Sequence, residues 1–239
     1  MTDPLDGIDL VVFDKDGTLI AFDAMWRDWA NDLGERLSVA VGRDVRPPLN
    51  EMLGFDAATG TATPGGGLAA TPMARLREMT QAVLVAGGSS VADATGAVDQ
   101  VWHAPDPETL AHPLADLRSL LEDLRSSGRR IAIATSDDRE PTERTLVALG
   151  LADLVDATVC ADDGVPVKPA PDMVLRVCAA VGVDPVRAAV VGDSPADLQM
   201  GRAAGAGLVV GVLTGVGSQT DLEPLADLVI ESVQQLRTP

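Results

Sequence analysis

The sequence predicts an α/β fold, a doubly wound parallel sheet with an inserted helical domain near its start. Three observations carry that prediction. Short continuous apolar runs, at residues 10–13, 131–134 and 188–191, alternate with amphipathic segments, as strands do when helices cover both faces of a parallel sheet. Polar residues follow these runs, Asp14, Thr135 and Asp193 among them, where such folds bind ligands at the carboxyl ends of their strands. The stretch from 21 to 105 breaks the alternation and reads as helices.

The first strand, rich in Val and closed by Asp14-Lys15-Asp16-Gly17-Thr18, ends in two carboxylates. Close carboxylates repel strongly once water is excluded, so a metal ion, a hydrogen-bond network or both must offset them. An EF-hand calcium loop counted from Asp14 is excluded by spacing. It needs an oxygen ligand at position five, Gly at six and Glu at twelve, and the chain has Thr18, Leu19 and Met25 there.

From about residue 23 to 104 the pattern is helical, with no convincing strand. Trp26, Trp29, Ala30, Leu33 and Leu37 share one helical face, Met73, Leu76, Met79, Val83 and Leu84 a second, and Val91, Ala94, Val98, Val101 and Trp102 a third. The tryptophans read as packing between these helices. Residues 54–70 read as a long Gly, Thr, Ala and Pro loop, a length usually functional or mobile.

After residue 114 helix and strand alternate. A Leu-rich helix ends at Gly128 and a strand runs over 130–134. A helix at 141–149, a short strand at 155–160 and a helix at 171–181 follow. Then come a strand at 188–191, a helix at 195–204 and strands at 207–212 and 227–230.

Composition bounds the function. A net charge of −18 without any Lys/Arg cluster excludes nucleic acid as a partner, because a phosphate backbone needs a basic face. It also disfavours anionic membranes. A small anionic substrate stays allowed where a local cation reverses the field. Cys160 and Cys178 form no spaced metal motif and read as free thiols. The acidic N-terminus lacks the features of a signal peptide, so a soluble cytoplasmic protein is expected. Lysine occurs only at 15 and 168 while arginine supplies every other strong cation, which marks both lysines for attention.

One sheet edge thus gathers Asp14 and Asp16, Thr135-Ser136-Asp137-Asp138, Lys168-Pro169, and Gly192-Asp193-Ser194-Pro195-Ala196-Asp197. In order and strand context these resemble the four motifs of the haloacid-dehalogenase superfamily. The resemblance implies a Rossmann-like core at 1–20 and 106–239, a helical cap at 21–105, and a phosphatase for a small phosphorylated metabolite. It implies that Asp14 is the nucleophile, forming an aspartyl-phosphate, and that Asp16 protonates the leaving oxygen and then activates water. Mg²⁺ would be held by the Asp14 side chain, the Asp16 backbone carbonyl and Asp193, with Asp197 ordering its waters. Thr135 and Lys168 would bind phosphoryl oxygens, assisted by backbone N–H groups near Gly17 and Thr18. Ser136 would replace Thr135 if Thr135 caps a helix. Asp197 could also simply charge the first turn of its helix.

Asp137 and Asp138 read as solvent-facing or paired with Arg139. Lys15, on the opposite side of the strand from Asp14 and Asp16, reads as structural. Arg27, Arg75, Arg77 and His103 are cap residues suited either to an anionic substrate tail or to a solvated surface. A narrower resemblance, carried by Lys15, the Trp26/Trp29 helix, residues 54–60 and residues 136–139, is to phosphoglycolate-phosphatase-like proteins. A phosphomutase on the same core acids and a non-catalytic phosphoryl-binding protein are the alternatives. Asp16 argues against a dehalogenase, and the lack of a cap lysine argues against a Schiff-base phosphonate hydrolase. A monomer or homodimer is expected.

Overall fold

Leu10–Phe13 (β1) is the centre of the fold because every one of its side chains is buried. Val11 and Phe13 join one apolar layer and Leu10 and Val12 the other, the two-residue period of a strand covered on both faces. In a computed structural model that describes residues 3–63, 66–103 and 111–237, the chain divides into two compact units, residues 1–22 with 107–239 and residues 23–106.

The first unit is a six-stranded sheet in the order β5-β4-β1-β6-β7-β8, all of its pairs parallel. Its strands after β1 are Arg130–Ala134 (β4), Ala157–Val159 (β5), Ala188–Gly192 (β6), Leu208–Val212 (β7) and Leu228–Ile230 (β8). The chain leaves β1 for β4 and β5 on one side, then returns to β6, β7 and β8 on the other, which makes the carboxyl end of β1 a topological switch point. Register brings the strand ends level: Phe13 lies opposite Ile133 of β4 and Val191 of β6.

Leu117–Ser126 covers one face through Leu117, Leu120, Leu121 and Leu124, spaced as one helical stripe. Asp172–Val181 covers the other through Met173, Val174, Val177, Cys178 and Val181. Pro195–Ala204 follows β6, and its Met200 and Ala204 join the same layer. Both cysteines are buried and free.

The second unit contains Phe22–Val41, Arg46–Leu53, Gly67–Ala70, Met73–Ala86 and Val91–Val101 as helices. Trp29 stacks edge to face with Trp26 and Trp102, ring centroids 5.4 Å apart in both pairs, and its indole N–H donates to the His103 carbonyl at 2.7 Å. The tryptophans therefore pack the interior of this unit. The expectation of no strand is corrected: Phe55–Asp56 (β2) and Thr61–Ala62 (β3) pair antiparallel, inside the stretch read as a loop. The turn is closed by the Gly60 N–H on the Asp56 carbonyl and by Ala58 N–H on the Asp56 carboxylate, an Asx turn that two-residue strands do not announce. No helix among the described residues is long and apolar enough to cross a membrane.

Candidate active site

The ends of β1, β4 and β6 carry the site. Past Phe13 the chain stays on the sheet for one more bond, Asp14 N–H to the Val191 carbonyl at 2.9 Å. It then folds back, with Gly17 N–H and Leu19 N–H bonding the carbonyls of Ile20 and Lys15. Gly17 takes φ of +85°, open to glycine and strained for other residues. A Cβ there would also lie 2.5 Å from an Asp193 carboxylate oxygen.

Asp14, Asp193 and Asp197 are buried, with one carboxylate oxygen of each within 4.8 Å of the others. Asp193 is gripped on both oxygens, by the Thr18 hydroxyl at 3.2 Å and by Val216 N–H at 2.8 Å. Asp197 sits at the third position of its helix, in a capping box with Ser194. Its Oδ2 accepts the Ser194 N–H at 3.1 Å and the Ser194 hydroxyl at 2.6 Å. Its other oxygen meets Lys168 Nζ at 2.6 Å, so Asp197 both caps its helix and faces the cluster. Lys168 also hydrogen-bonds and ion-pairs with Asp14.

Burial raises the Asp14 carboxyl to about 7, against the attraction of Lys168 and with the charges of Asp197 and Asp16 adding to the rise. Asp193 is raised well above the carboxylate range by burial and then by Asp14 and Asp197. Burial works against the Lys168 ammonium, but Asp14 and Asp197 outweigh it and raise its pKa. The cluster thus holds more buried negative charge than its lysine balances. Three hard oxygen donors with that excess fit a divalent cation such as Mg²⁺.

Thr135, buried after β4, accepts Asp137 N–H on its hydroxyl oxygen at 3.1 Å. The following helix, Arg139–Ala148, has Asp138 at its N-cap, so Thr135 does not cap it, and Ser136 is half-buried beside it.

Three expectations are corrected. Gly17 N–H bonds the Ile20 carbonyl and is not turned to a phosphoryl group, while the Thr18 hydroxyl donates to Asp193, which leaves the expectation for the Thr18 backbone N–H standing. Lys15 is buried on the same side as Asp16, its Nζ 2.7 Å from Asp16 Oδ2 and 3.3 Å from Asp137 Oδ2, because the strand ends at Phe13 and its alternation ends there too. Asp137 consequently pairs with Lys15. Arg139 pairs with Asp163 and Glu143. In the helical unit, Arg75 bonds Glu78, Arg77 bonds Asp99, Arg27 bonds the Gly60 carbonyl and His103 lies 3.6 Å from Asp32.

Sequence reasoning missed the loop after β7. Thr214 donates its hydroxyl to the Gly17 carbonyl at 2.7 Å, Val216 N–H holds Asp193, and Gly217 N–H bonds the Asp193 carbonyl at 2.9 Å. The signal was Thr214-Gly215-Val216-Gly217 just past a strand at the same sheet edge.

The family model for haloacid dehalogenase-like hydrolases matches residues 8–205. The chain belongs to this family. Among curated relatives, a phosphoglycolate phosphatase of Caulobacter vibrioides is 30% identical over 233 residues, covering 93% of this chain and 86% of that protein. A phosphoglycolate phosphatase of Aquifex aeolicus is 31% identical over 100 residues, 42% of this chain and 47% of the relative. With several of these relatives the match spans under half of their length. Of the solved structures, a haloacid-dehalogenase-type phosphatase of Thermococcus onnurineus superposes with a TM-score of 0.68 over 96% of both chains at 22% identity, a likeness of fold.

Proposed function

We propose that this hydrolase is a Mg²⁺-dependent phosphatase that cleaves small phosphate monoesters by way of a phosphorylated Asp14. The observation that carries the proposal is the buried cluster of Asp14, Asp193, Asp197 and Lys168 at the switch point of the sheet. The phosphoglycolate phosphatases among its relatives support a small phosphorylated carboxylic acid as the substrate class. The helical unit of residues 23–106 is proposed as the cap that selects it.

Asp14, Asp193 and Asp197 would hold the Mg²⁺ together with the Asp16 backbone carbonyl. When bound it would supply the positive charge that lets an anionic phosphoryl group approach these carboxylates. Asp14 attacks phosphorus in line: a bond forms from its carboxylate oxygen to phosphorus, the ester P–O bond breaks, and the leaving oxygen takes a proton from the Asp16 carboxyl. Water then attacks the phosphorylated Asp14, giving its proton to the Asp16 carboxylate, and inorganic phosphate leaves as Asp14 is restored. Lys168 and the Thr135 hydroxyl meet the phosphoryl oxygens, since the Thr135 oxygen accepts from Asp137 N–H and its proton is left to donate.

The test is release of phosphate from p-nitrophenyl phosphate and 2-phosphoglycolate. Turnover should require Mg²⁺ and cease with EDTA, and Asp14→Asn should abolish it while the protein keeps its fold by circular dichroism. Turnover without a divalent metal, or near wild-type rates for Asp14→Asn, would refute the mechanism.

A further inference from the structure

The chain's two lysines both turn their side chains inward at this site, 3% exposed for Lys15 and 5% for Lys168, and each is ion-paired with two carboxylates. The mechanism above uses Lys168 and gives Lys15 no role. Lys15 is 2% exposed, and a lysine is almost never fully buried unless paired. Its Nζ reaches Asp16 Oδ2 at 2.7 Å and Asp137 Oδ2 at 3.3 Å.

Asp137 is itself fixed. Its N–H donates to the Thr135 hydroxyl at 3.1 Å, its Oδ1 accepts Asp138 N–H at 2.9 Å, and its carbonyl accepts Ala161 N–H at 2.9 Å. An anchored carboxylate thus holds an ammonium, which holds one oxygen of Asp16. The second oxygen of Asp16, Oδ1, is buried and has no hydrogen-bond partner among the described residues. A buried polar atom without a partner is costly, and it is the atom left to meet a leaving oxygen.

On the phosphatase reading, on which this inference rests, we propose that Lys15, braced by Asp137, is the positioning residue of Asp16: it occupies Oδ2 and so presents Oδ1 to the reacting ester. A proton donor must lie within hydrogen-bond reach of the oxygen it protonates. Asp16 has a single-bonded carboxylate free to rotate, and the fixed ammonium removes that freedom. Asp137, at the end of β4, is the same loop that carries Thr135, so the leaving-group side and the phosphoryl side of the site share one anchor.

The experiment separates proton donation from general damage. An alkyl phosphate needs its leaving oxygen protonated, whereas p-nitrophenolate leaves without help. The measurement is kcat/KM on 2-phosphoglycolate and on p-nitrophenyl phosphate, which reports only the steps through departure of the leaving group, for wild type, Lys15→Met, Lys15→Arg, Asp137→Asn and Asp16→Asn. General acid catalysis contributes about 10²–10⁴-fold. Lys15→Met should therefore lose about 10²-fold on the alkyl ester and about tenfold less than that on the aryl ester, reproducing the selectivity of Asp16→Asn. Lys15→Arg should restore part of the alkyl activity. If Lys15→Met does not fold, Asp137→Asn carries the test, because it keeps the ammonium and removes only its brace.

Equal losses on both esters in the variants would overturn the inference and leave the phosphatase reading standing, as would alkyl activity at the wild-type level. Wild-type protein that hydrolyses neither ester would refute the phosphatase reading and this inference with it.

Discussion

Replacing Gly215 by Ala perturbs the site while every acid keeps its identity. A Cβ at Gly215 would lie 2.6 Å from the Asp193 Cβ and still closer to its carboxyl group. Carbon atoms in contact sit about 3.5–4.0 Å apart, so Asp193 must retreat by about 1 Å. The hydrogen bond from Val216 N–H to Asp193 is 2.8 Å long, and a shift of about 1 Å takes it beyond bonding distance. A hydrogen bond to a charged group contributes about 1.5–3 kcal/mol. Misplacing Asp193 by about 2 kcal/mol corresponds to a loss of about 30-fold in Mg²⁺ affinity. Overpacking adds about 1–3 kcal/mol of destabilisation, which for a chain of this size lowers Tm by several degrees, at about 2–4 °C per kcal/mol. The assay is p-nitrophenyl phosphate turnover against Mg²⁺ concentration, with a thermal melt alongside. Gly96→Ala is the control, since a Cβ there meets nothing within 4 Å in the helix Val91–Val101, and it should raise stability by about 1 kcal/mol. A Gly215→Ala enzyme with the wild-type Mg²⁺ requirement and melting temperature would refute the account of the Asp193 cradle.

Two further predictions concern charge. Lys168→Ala leaves Asp14 and Asp197 buried without their cation and should cost about 3–5 kcal/mol; its beryllofluoride binding should weaken, read by calorimetry, and binding at wild-type strength would remove Lys168 from the site. Asp163 is held below the usual carboxylate range chiefly by its hydrogen bonds from Arg139, against burial, so its contribution to stability is present above the unfolded pKa of about 3.8 and is lost as pH falls through the lower folded value. The denaturant-melt gap between wild type and Asp163→Asn, about 1–2 kcal/mol at pH 7, should shrink below about pH 4, and a gap constant from pH 7 to 3 would exclude the ion pair as its source.

The parallel strands were legible because apolar runs such as Leu10–Phe13 are buried on both faces, and burial on both faces leaves a local mark in sequence. The positions of Asp14 and Asp193 were legible because each directly follows such a run, and that of Asp197 because it falls in the first turn of the helix after Ser194. Lys15 was misread because the two-residue alternation was carried past Phe13, where the chain already folds back through Lys15 and Gly17 toward Ile20. The hold of Val216 on Asp193 joins residues 23 apart, and the hold of Thr214 on Gly17 joins residues 197 apart. One partner in each contact is a backbone atom, Val216 N–H or the Gly17 carbonyl, and leaves no side-chain signature, so the close-packed glycines of that loop were the hint. The β2–β3 pair failed for a different reason: two residues per strand are too few for a period to show.

On the proposed function, the arrangement of the two lysines explains how so acidic a chain would accept an anionic substrate. Five carboxylates, Asp14, Asp16, Asp137, Asp193 and Asp197, meet two ammoniums, so full ionisation would leave three negative charges in excess at the sheet edge. The structure divides them unequally. Lys15 serves Asp16 and Asp137, and Lys168 serves Asp14 and Asp197, while Asp193 has hydrogen bonds from Thr18 and Val216 and no ammonium of its own. The excess is therefore concentrated on the Asp14, Asp193 and Asp197 side, where burial and mutual repulsion already raise Asp14 and Asp193. A divalent cation gains most there, because the repulsion it relieves is largest. The Asp16 side, with one negative charge in excess against two, gains less from one. On the proposed mechanism this division would put the cation beside Asp14 and leave Asp16 to Lys15, so chelation should stop turnover while leaving the Lys15, Asp16 and Asp137 contacts intact.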